Sequence, residues 1–406
     1  MRSEIREIFA CEVCGSSDLF SVLDLKMHPM CDDLVALEEN RICNEYPIEI
    51  LFCKKCKTAH QRFQVEKQTL FPKNYHYRSK QTADVLDGMR DFVTSCKKKL
   101  AGLTSKKVVD VGCNDGTLLN FFRQHGALTH GIEPTDAYIE AAANGHKILN
   151  AYFTEEVARE FVNSYGCADI ITFTNVFAHI ENLEQLLRAT SILRHSETAI
   201  VIENHYLGSI LRKKQFDTFY HEHPRTYSYS SFVCIAEQLG MELDLVEFPG
   251  RYGGNVRVFL QPSRKSTLSD KKYAELADFE DITFSNSFQN LSKFIETWKD
   301  RKKSEIADAV EKNGPLVAKA FPGRAAIPIK MLGLDSDLIL GAYEKPDSKK
   351  IGYYIPGTRI PIRSDNFILK HYSEGSPIIN LAWHIEGEIR QYMGRQGYAG
   401  KFINII

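Results

Sequence analysis

Long apolar runs are missing from this sequence. No stretch reaches the roughly 18 apolar residues that a membrane-spanning helix needs. The N-terminus also lacks the apolar core of a signal peptide. We therefore expect no membrane partner, and we predict a cytoplasmic protein.

The sequence also has no excess of positive or negative charge. The chain has 51 basic and 52 acidic residues, which gives a formal net charge of -1. A chain so close to neutral has no overall field that would attract a polyanion, so we expect no nucleic-acid partner. No internal repeat or low-complexity segment stands out in the 406 residues. This length leaves room for two or three ordinary domains.

The phosphate-binding fingerprint G-x-G-x-x-G is also absent from the most informative glycine turn. Residues 106–116 read KKVVDVGCNDG, which predicts a strand over 106–112 that contains Asp110, followed by a turn with Gly112 and Gly116. Glu133 follows at the end of the next apolar run, where an acid can hydrogen-bond ribose hydroxyls. This order predicts an adenosine cofactor, and the missing fingerprint favours one without phosphates, of which S-adenosylmethionine (SAM) is the obvious example.

Strand and helix patterns alternate regularly after residue 106, which predicts an α/β fold with a doubly wound, mostly parallel sheet. We divide the chain into a small N-terminal domain (1–70), a central Rossmann-like domain (71–262) and a smaller C-terminal α/β domain (263–406). Ligands of such sheets bind beyond the carboxyl ends of the strands. Asp110, Glu133 and residues 175–179 are expected there.

Four of the ten cysteines form two C-x-x-C pairs, Cys11 with Cys14 and Cys53 with Cys56. Two such pairs can present four thiolates to one metal ion, which predicts a structural zinc site. A redox C-x-x-C is the alternative, but it would leave the second pair unexplained. A catalytic zinc normally keeps an open position, so four thiolates favour a role in folding.

Residues 220–223 read Tyr-His-Glu-His and concentrate three kinds of proton-transfer group in four positions. Imidazole can accept a proton near neutral pH, and a neighbouring carboxylate can orient the ring. A polar loop without a catalytic role and a metal site built on H-x-H remain alternatives.

The order of these motifs resembles the SAM-dependent sugar C-methyltransferases, including the C-3 methyltransferases of branched deoxysugars. The resemblance runs from about residue 10 to the C-terminus and is carried by the paired cysteines, YPIEILFCKKC (46–56), VVDVGCNDGTLL (108–119), GIEPT (131–135), TNVFAHIENL (174–183), FDTFYHEH (216–223), YGGNVRVFL (252–260) and IPGTRIPI (355–362). It implies a methyltransferase activity for the central domain.

The resemblance also implies a role for each matching residue. Zinc would bind Cys11, Cys14, Cys53 and Cys56, and SAM would contact Asp110, Gly112, Asn114, Gly116, Glu133 and Asn175. Asn175 would also face the sugar, together with His179, and Tyr220, Glu222 and His223 would transfer protons, with His223 as the base. Either Tyr75 or Tyr77 would be a further active-site tyrosine. The C-terminal domain would hold the nucleotide, with Arg324 or Lys330 as phosphate partners.

The expected reaction is methyl transfer to C-3 of a nucleotide-linked 4-keto deoxysugar, because the adjacent ketone makes a carbon-bound proton removable. Methylation of a sugar oxygen and a non-catalytic SAM- or nucleotide-binding module remain alternatives. The chain departs from the family at Pro224-Arg225, which is expected to place a cation beside the base and to alter substrate choice. We expect a monomer or a small homo-oligomer.

Overall fold

The computed structural model describes residues 5–70, 78–79, 83–262, 270–372 and 375–406. Contacts within the chain divide it into two compact units, and the chain passes between them several times. The first unit contains residues 1–22, 50–213 and 223–285, and the second contains residues 23–49, 214–222 and 286–406. Our division into three domains stays a prediction beside these two units.

The strands of the first 262 residues are β1 (Ile5–Glu7), β2 (Leu19–Pro29), β3 (Val35–Ala36), β4 (Glu45–Cys53), β5 (Ala59–Gln61), β6 (Phe63–Val65), β7 (Lys107–Val111), β8 (Leu128–Ile132), β9 (Lys147–Leu149), β10 (Ala168–Thr174), β11 (Arg194–His205), β12 (Arg225–Thr226), β13 (Met241–Glu247) and β14 (Asn255–Pro262). The remaining strands are β15 (Leu316–Lys319), β16 (Ile339–Glu344), β17 (Tyr353–Tyr354), β18 (Ile362–Ser364), β19 (Ile378–Asn380) and β20 (Phe402–Asn404).

The helices are α1 (Lys67–Leu70), α2 (Ala83–Lys99), α3 (Thr117–Gln124), α4 (Tyr138–Ala143), α5 (Glu155–Tyr165), α6 (Leu183–Leu193), α7 (Leu207–Lys213), α8 (Tyr229–Gln238), α9 (Asp270–Asn313), α10 (Ala326–Leu332), α11 (Ile368–His371) and α12 (Glu386–Arg395). The longest, α9, has 44 residues, and charged side chains recur along it. No helix in the described ranges is both long and apolar enough to cross a membrane.

A seven-stranded sheet forms the core of the first unit, in the order β13-β14-β11-β10-β7-β8-β9. The strands from β7 to β11 are parallel, and β14 joins β11 in antiparallel register. The strands are almost continuously buried, as expected for a sheet covered by helices on both faces. This sheet confirms the predicted doubly wound α/β fold. The short edge strand β9 was not predicted.

Helices α2 and α3 cover one face of this sheet. Their apolar side chains share a buried cluster with the strands, and its members include Phe92, Phe122, Val108, Val201 and Phe259. The segment that leads to α2 begins with the short strands β5 and β6. Strand β5 pairs with β4 on one side and with β12 on the other, which brings Arg225 opposite His60.

The second unit contains a five-stranded parallel sheet in the order β18-β16-β15-β19-β20. A buried ion pair lies at the carboxyl end of β15, where Lys319 Nζ is 2.7 Å from Asp365 Oδ2. Tyr392 Oη donates to the same carboxylate oxygen at 2.8 Å. This sheet confirms the predicted second α/β domain in the C-terminal part of the chain.

Candidate active site and metal centre

The glycine turn after β7 leaves no room for a side chain at Gly112. This residue has a φ of 71°, in the left-handed region that favours glycine. Its N–H donates to the carbonyl of Ile132 at 2.7 Å. A Cβ atom here would lie 2.6 Å from both γ-methyl carbons of Val176. The turn therefore requires glycine, and its backbone is left open to the approach of a ligand.

Gly116 serves a different purpose at the start of α3. It also has a positive φ, 77°. An added Cβ atom would lie 2.9 Å from His146 Cδ2 and 3.0 Å from Ala141 Cα. Gly116 thus allows the turn to pack closely against the residues around α4. Its predicted contact with the cofactor stays a prediction.

Glu133 is buried at the end of β8 and holds the glycine turn in place. Its Oε2 atom accepts from the Asn114 N–H at 2.9 Å, and its Oε1 atom accepts from the N–H and Oγ1 of Thr135 at 2.9 and 2.6 Å. Burial raises the pKa of this carboxyl. A carboxylate has about four lone-pair sites, and the described residues use three. The fourth, on Oε2, suits a ribose hydroxyl.

Asp110 lies at the end of β7 and is 3% exposed. Thr172 Oγ1 donates to its Oδ1 atom at 2.7 Å. Burial is the main reason that the pKa of Asp110 rises to about 7. The unfolded chain ionises this group near its ordinary value of about 3.9. Between these two values only the folded chain holds the proton, so stability is lost as the pH rises through this window.

We expect Asp110→Asn to remove this pH dependence. The amide oxygen can still accept from Thr172, but the side chain no longer ionises. Relative to the variant, the wild type should lose up to about 4 kcal/mol of unfolding free energy between pH 4 and 7, because roughly three pKa units count for about 1.4 kcal/mol each. Urea unfolding of both proteins at several pH values measures the difference. A constant difference across the window contradicts the assignment to Asp110.

Asn175 and Asn255 meet at the carboxyl ends of β10 and β11, and Asn204 is the residue before the last one of β11. Asn175 has a φ of 53°, and its N–H donates to the Glu203 carbonyl at 2.7 Å. Asn255 Nδ2 donates to Asn175 Oδ1 at 3.2 Å and to Glu203 Oε1 at 2.9 Å. Among the described residues, Asn175 Nδ2, Asn255 Oδ1 and both amide atoms of Asn204 are buried without a partner. Buried polar atoms are normally paired, so these four suit a polar ligand.

Three imidazoles lie together beside these asparagines. The ring centroid of His223 is 4.7 Å from that of His179 and 5.4 Å from that of His205. His223 is 5% exposed. The structure thus brings together two residues that the sequence analysis singled out. It adds His205, the last residue of β11. Its place at the end of a buried apolar run is the sequence signal that could have indicated it.

The two histidines of the Tyr-His-Glu-His segment have different surroundings. His221 belongs to the second unit, where its Nε2 atom lies 3.1 Å from the Tyr46 carbonyl. Burial lowers the pKa of His221 to about 4, so this ring is a neutral structural group. Tyr220 and Glu222 belong to the same unit, and their proton-transfer roles stay predictions. Tyr75 and Tyr77 lie outside the described residues.

Both cations that we expected to meet a phosphate have carboxylate partners in the second unit. Arg324 donates to Asp217 through Nε at 2.8 Å and through Nη2 at 2.6 Å. Lys330 is paired with Glu45. This bidentate and charge-assisted pairing commits Arg324 to a neighbouring side chain. Neither cation can therefore meet a phosphate without displacing its present carboxylate contact.

The four predicted metal ligands form one cluster in the first unit. The sulfur atoms of Cys11, Cys14, Cys53 and Cys56 all lie within 4.8 Å of one another. Cys11 Sγ is 3.4 Å from Cys56 Sγ, and Cys14 Sγ is 3.5 Å from Cys53 Sγ. Tetrahedral zinc with bonds of about 2.3 Å separates its sulfur ligands by about 3.8 Å. The cluster therefore fits a structural zinc ion.

Hydrogen-bond donors surround these sulfurs. His60 Nε2 lies 3.3 Å from Cys11 Sγ, and the Cys14 N–H donates to the same sulfur at 3.4 Å. Thr58 Oγ1 lies 3.1 Å from Cys56 Sγ. Such outer contacts orient metal ligands and offset the negative charge of the thiolates.

Three family models match the chain in the predicted order. A model described as "Putative zinc binding domain" matches residues 11–71. A model described as "Methyltransferase domain" matches residues 77–246, and one described as "C-methyltransferase C-terminal domain" matches residues 251–406.

Individual relatives agree with these models. The C-methyltransferase NovU of Streptomyces niveus is 25% identical over 96% of this chain and 93% of its own length. A ubiquinone biosynthesis O-methyltransferase of Cupriavidus pinatubonensis is 28% identical over 37% of this chain and 65% of its own. Among solved structures, the magnesium protoporphyrin IX methyltransferase of Synechocystis PCC 6803 with bound SAM is 14% identical, with 44% of this chain and 80% of that chain covered and a TM-score of 0.34. Taken together, the three matched models and the relative that covers 96% of this chain support a SAM-dependent C-methyltransferase with a structural zinc site.

Proposed function

We propose that this C-methyltransferase acts on C-3 of a nucleotide-linked 4-keto deoxysugar. The observation that carries the proposal is the contact of His223 with His179 and His205 beside the ends of β10 and β11. The sugar and the position of methylation come from the resemblance of the sequence motifs to the sugar C-methyltransferases.

The proposed reaction needs both a base and hydrogen-bond donors in a small space. A sugar carbon becomes nucleophilic only after a proton is removed, and the adjacent ketone takes up the resulting charge on its oxygen. An imidazole is a suitable base because its ordinary pKa lies near neutral pH. His223 takes the C-3 proton, while His179 donates to the developing enolate oxygen.

The buried asparagines near the ends of β10 and β11 are suited to bind the sugar. The unpartnered amide atoms of Asn175, Asn204 and Asn255 offer donors and acceptors to the oxygens of a sugar. A donor that is already in place when charge develops on oxygen lowers the barrier without reorganisation.

SAM, when bound, supplies the methyl group for the carbanion. On the protein side, the backbone of Gly112 and the side chain of Asn114 line the cofactor position, and Glu133 Oε2 accepts from a ribose hydroxyl. Residues that hold the two ligands in a reactive geometry can supply a large part of the rate enhancement.

The comparisons favour carbon over oxygen as the acceptor. The C-methyltransferase C-terminal model covers residues 251–406, a region beyond the methyltransferase domain. The relative that covers 96% of this chain is named a C-methyltransferase, whereas the O-methyltransferase of Cupriavidus pinatubonensis covers 37%.

Deuterium exchange distinguishes the proposed reaction from sugar O-methylation. We expect the protein, incubated in heavy water with S-adenosylhomocysteine and a nucleotide-linked 4-keto deoxysugar, to introduce deuterium at C-3 without methyl transfer. Incubation with SAM should instead add one methyl group to the same sugar, as measured by mass spectrometry. The matched control is a sugar without the carbonyl. Methylation of that control without any C-3 exchange in the keto sugar contradicts the proposal and favours an oxygen acceptor.

A further inference from the structure

Arg225 departs from the family pattern, and its side chain is fully buried two residues beyond His223. We expected this cation to lie beside the proposed base and to influence the choice of substrate. The structure commits its guanidinium to protein acceptors instead. Nε donates to Tyr227 Oη at 3.0 Å, and Nη1 donates to Glu12 Oε2 at 2.6 Å and to the Glu181 carbonyl at 2.9 Å. Nη2 donates to the Ile180 carbonyl.

One end of this set of contacts is the metal centre. Glu12 lies between two of the zinc ligands, Cys11 and Cys14. Its Oε2 atom also accepts from Gln64 Nε2 at 2.8 Å, so Arg225 is held against a carboxylate with a fixed position. His60, the strand partner of Arg225, lies 3.3 Å from Cys11 Sγ through its Nε2 atom.

The other cysteine pair contacts the same part of the chain. Ser228 Oγ donates to the Cys56 carbonyl at 3.2 Å, and Ser231 Oγ donates to it at 3.3 Å. Thr58, whose hydroxyl lies beside Cys56 Sγ, is 2.7 Å from Ser231 Oγ. Both cysteine pairs are therefore connected to the residues that follow His223.

The opposite end of the set is the segment that carries His179. Ile180 and Glu181 directly follow that histidine, and Arg225 donates to both of their carbonyls. Lysine is not an equivalent replacement, because its compact ammonium lacks the planar set of five donors that a guanidinium presents to several acceptors. The His179 N–H donates to the Val176 carbonyl at 2.8 Å, which closes the turn before Ile180.

We propose that Arg225 is a positioning residue that couples the zinc-bound cysteine pairs to the segments that carry His179 and His223. A bound metal would hold the Cys11–Cys14 loop that contains Glu12. Glu12 holds the guanidinium, and the guanidinium holds the carbonyls after His179. The coupling between these segments does not depend on the reaction. Only the effect of the coupling on turnover rests on the proposed function.

The test uses Arg225→Lys in the full-length zinc-loaded protein, because lysine keeps the positive charge but lacks the planar guanidinium and its five N–H donors. We expect hydrogen exchange of the amides in residues 176–182 to become at least about tenfold faster, while zinc content and SAM affinity stay within about twofold of the wild type. Turnover should fall by about 10²-fold, the loss expected for a misplacement of about 1 Å at a reacting group. The matched control is Arg62→Lys, since Arg62 is also in the first unit and forms a half-exposed pair with Glu7, 2.8 Å between Nε and Oε1.

A second variant, Glu12→Gln, tests the same contacts if the Arg225→Lys protein does not fold. It should also speed exchange in residues 176–182, and combining it with Arg225→Lys should add little, because both changes break one set of contacts. Unchanged exchange in these variants overturns the coupling. Faster exchange with wild-type turnover supports the coupling and overturns the roles proposed for His179 and His223, so the two failures are distinguishable.

Discussion

Replacing His223 with asparagine should lower the kcat for methyl transfer by about 10² to 10⁴, the contribution expected of a general base. Asparagine keeps polar atoms in the ring's place but cannot accept a proton at neutral pH. SAM affinity should stay unchanged, because His223 is not among the residues proposed to bind SAM. Steady-state kinetics with the keto sugar and calorimetric binding of SAM measure the two quantities separately.

Deuterium incorporation at C-3 of the sugar gives a second measure of the role of His223. The variant should lose C-3 exchange to the same degree as methyl transfer, since both follow removal of one proton. The matched control is His195→Asn, because His195 is an exposed imidazole whose Nε2 atom lies 3.2 Å from Asp169 Oδ1. A His223 variant that exchanges and methylates like this control would remove His223 from the chemistry.

Loss of zinc should unfold the N-terminal region. Structural zinc in small domains contributes about 10 to 16 kcal/mol at pH 7, more than the usual stability of a whole domain. We therefore expect Cys53→Ser, or a strong chelator, to expose residues 5–65 to proteolysis and to lower the melting temperature. Metal analysis of the wild type should find about one zinc ion per chain.

The control for the cysteine variant is Cys167→Ser, a half-buried thiol outside the cluster. This change should leave both the zinc content and the pattern of proteolysis as in the wild type. The zinc assignment fails if the two serine variants behave alike, or if the purified protein contains reactive thiols and no metal.

Local patterns in the sequence were sufficient to predict much of this protein. The two C-x-x-C pairs predicted a metal cluster because each pair places two thiols a few residues apart, whatever the rest of the fold does. The glycine turn after β7 and the acid after β8 were predictable because strand ends in a parallel sheet lie at one edge. The order of strands and helices after residue 106 followed from the periodicity of apolar side chains.

Contacts between distant parts of the chain were not predictable in the same way. His221 and His223 are two residues apart, yet one is a structural group bonded to the Tyr46 carbonyl and the other lies against His179 and His205. No local pattern distinguishes them, because burial and partners depend on which segments pack nearby.

The sequence by itself thus determined the fold class, the cysteine cluster and the glycine turn, each of which depends on neighbours along the chain. Only the tertiary structure decided that His205 joins the imidazole cluster and that Arg225 bonds Glu12, a residue 213 positions away. The physical reason is that a buried charge takes whichever partner the packing provides, and a sequence motif does not specify that partner.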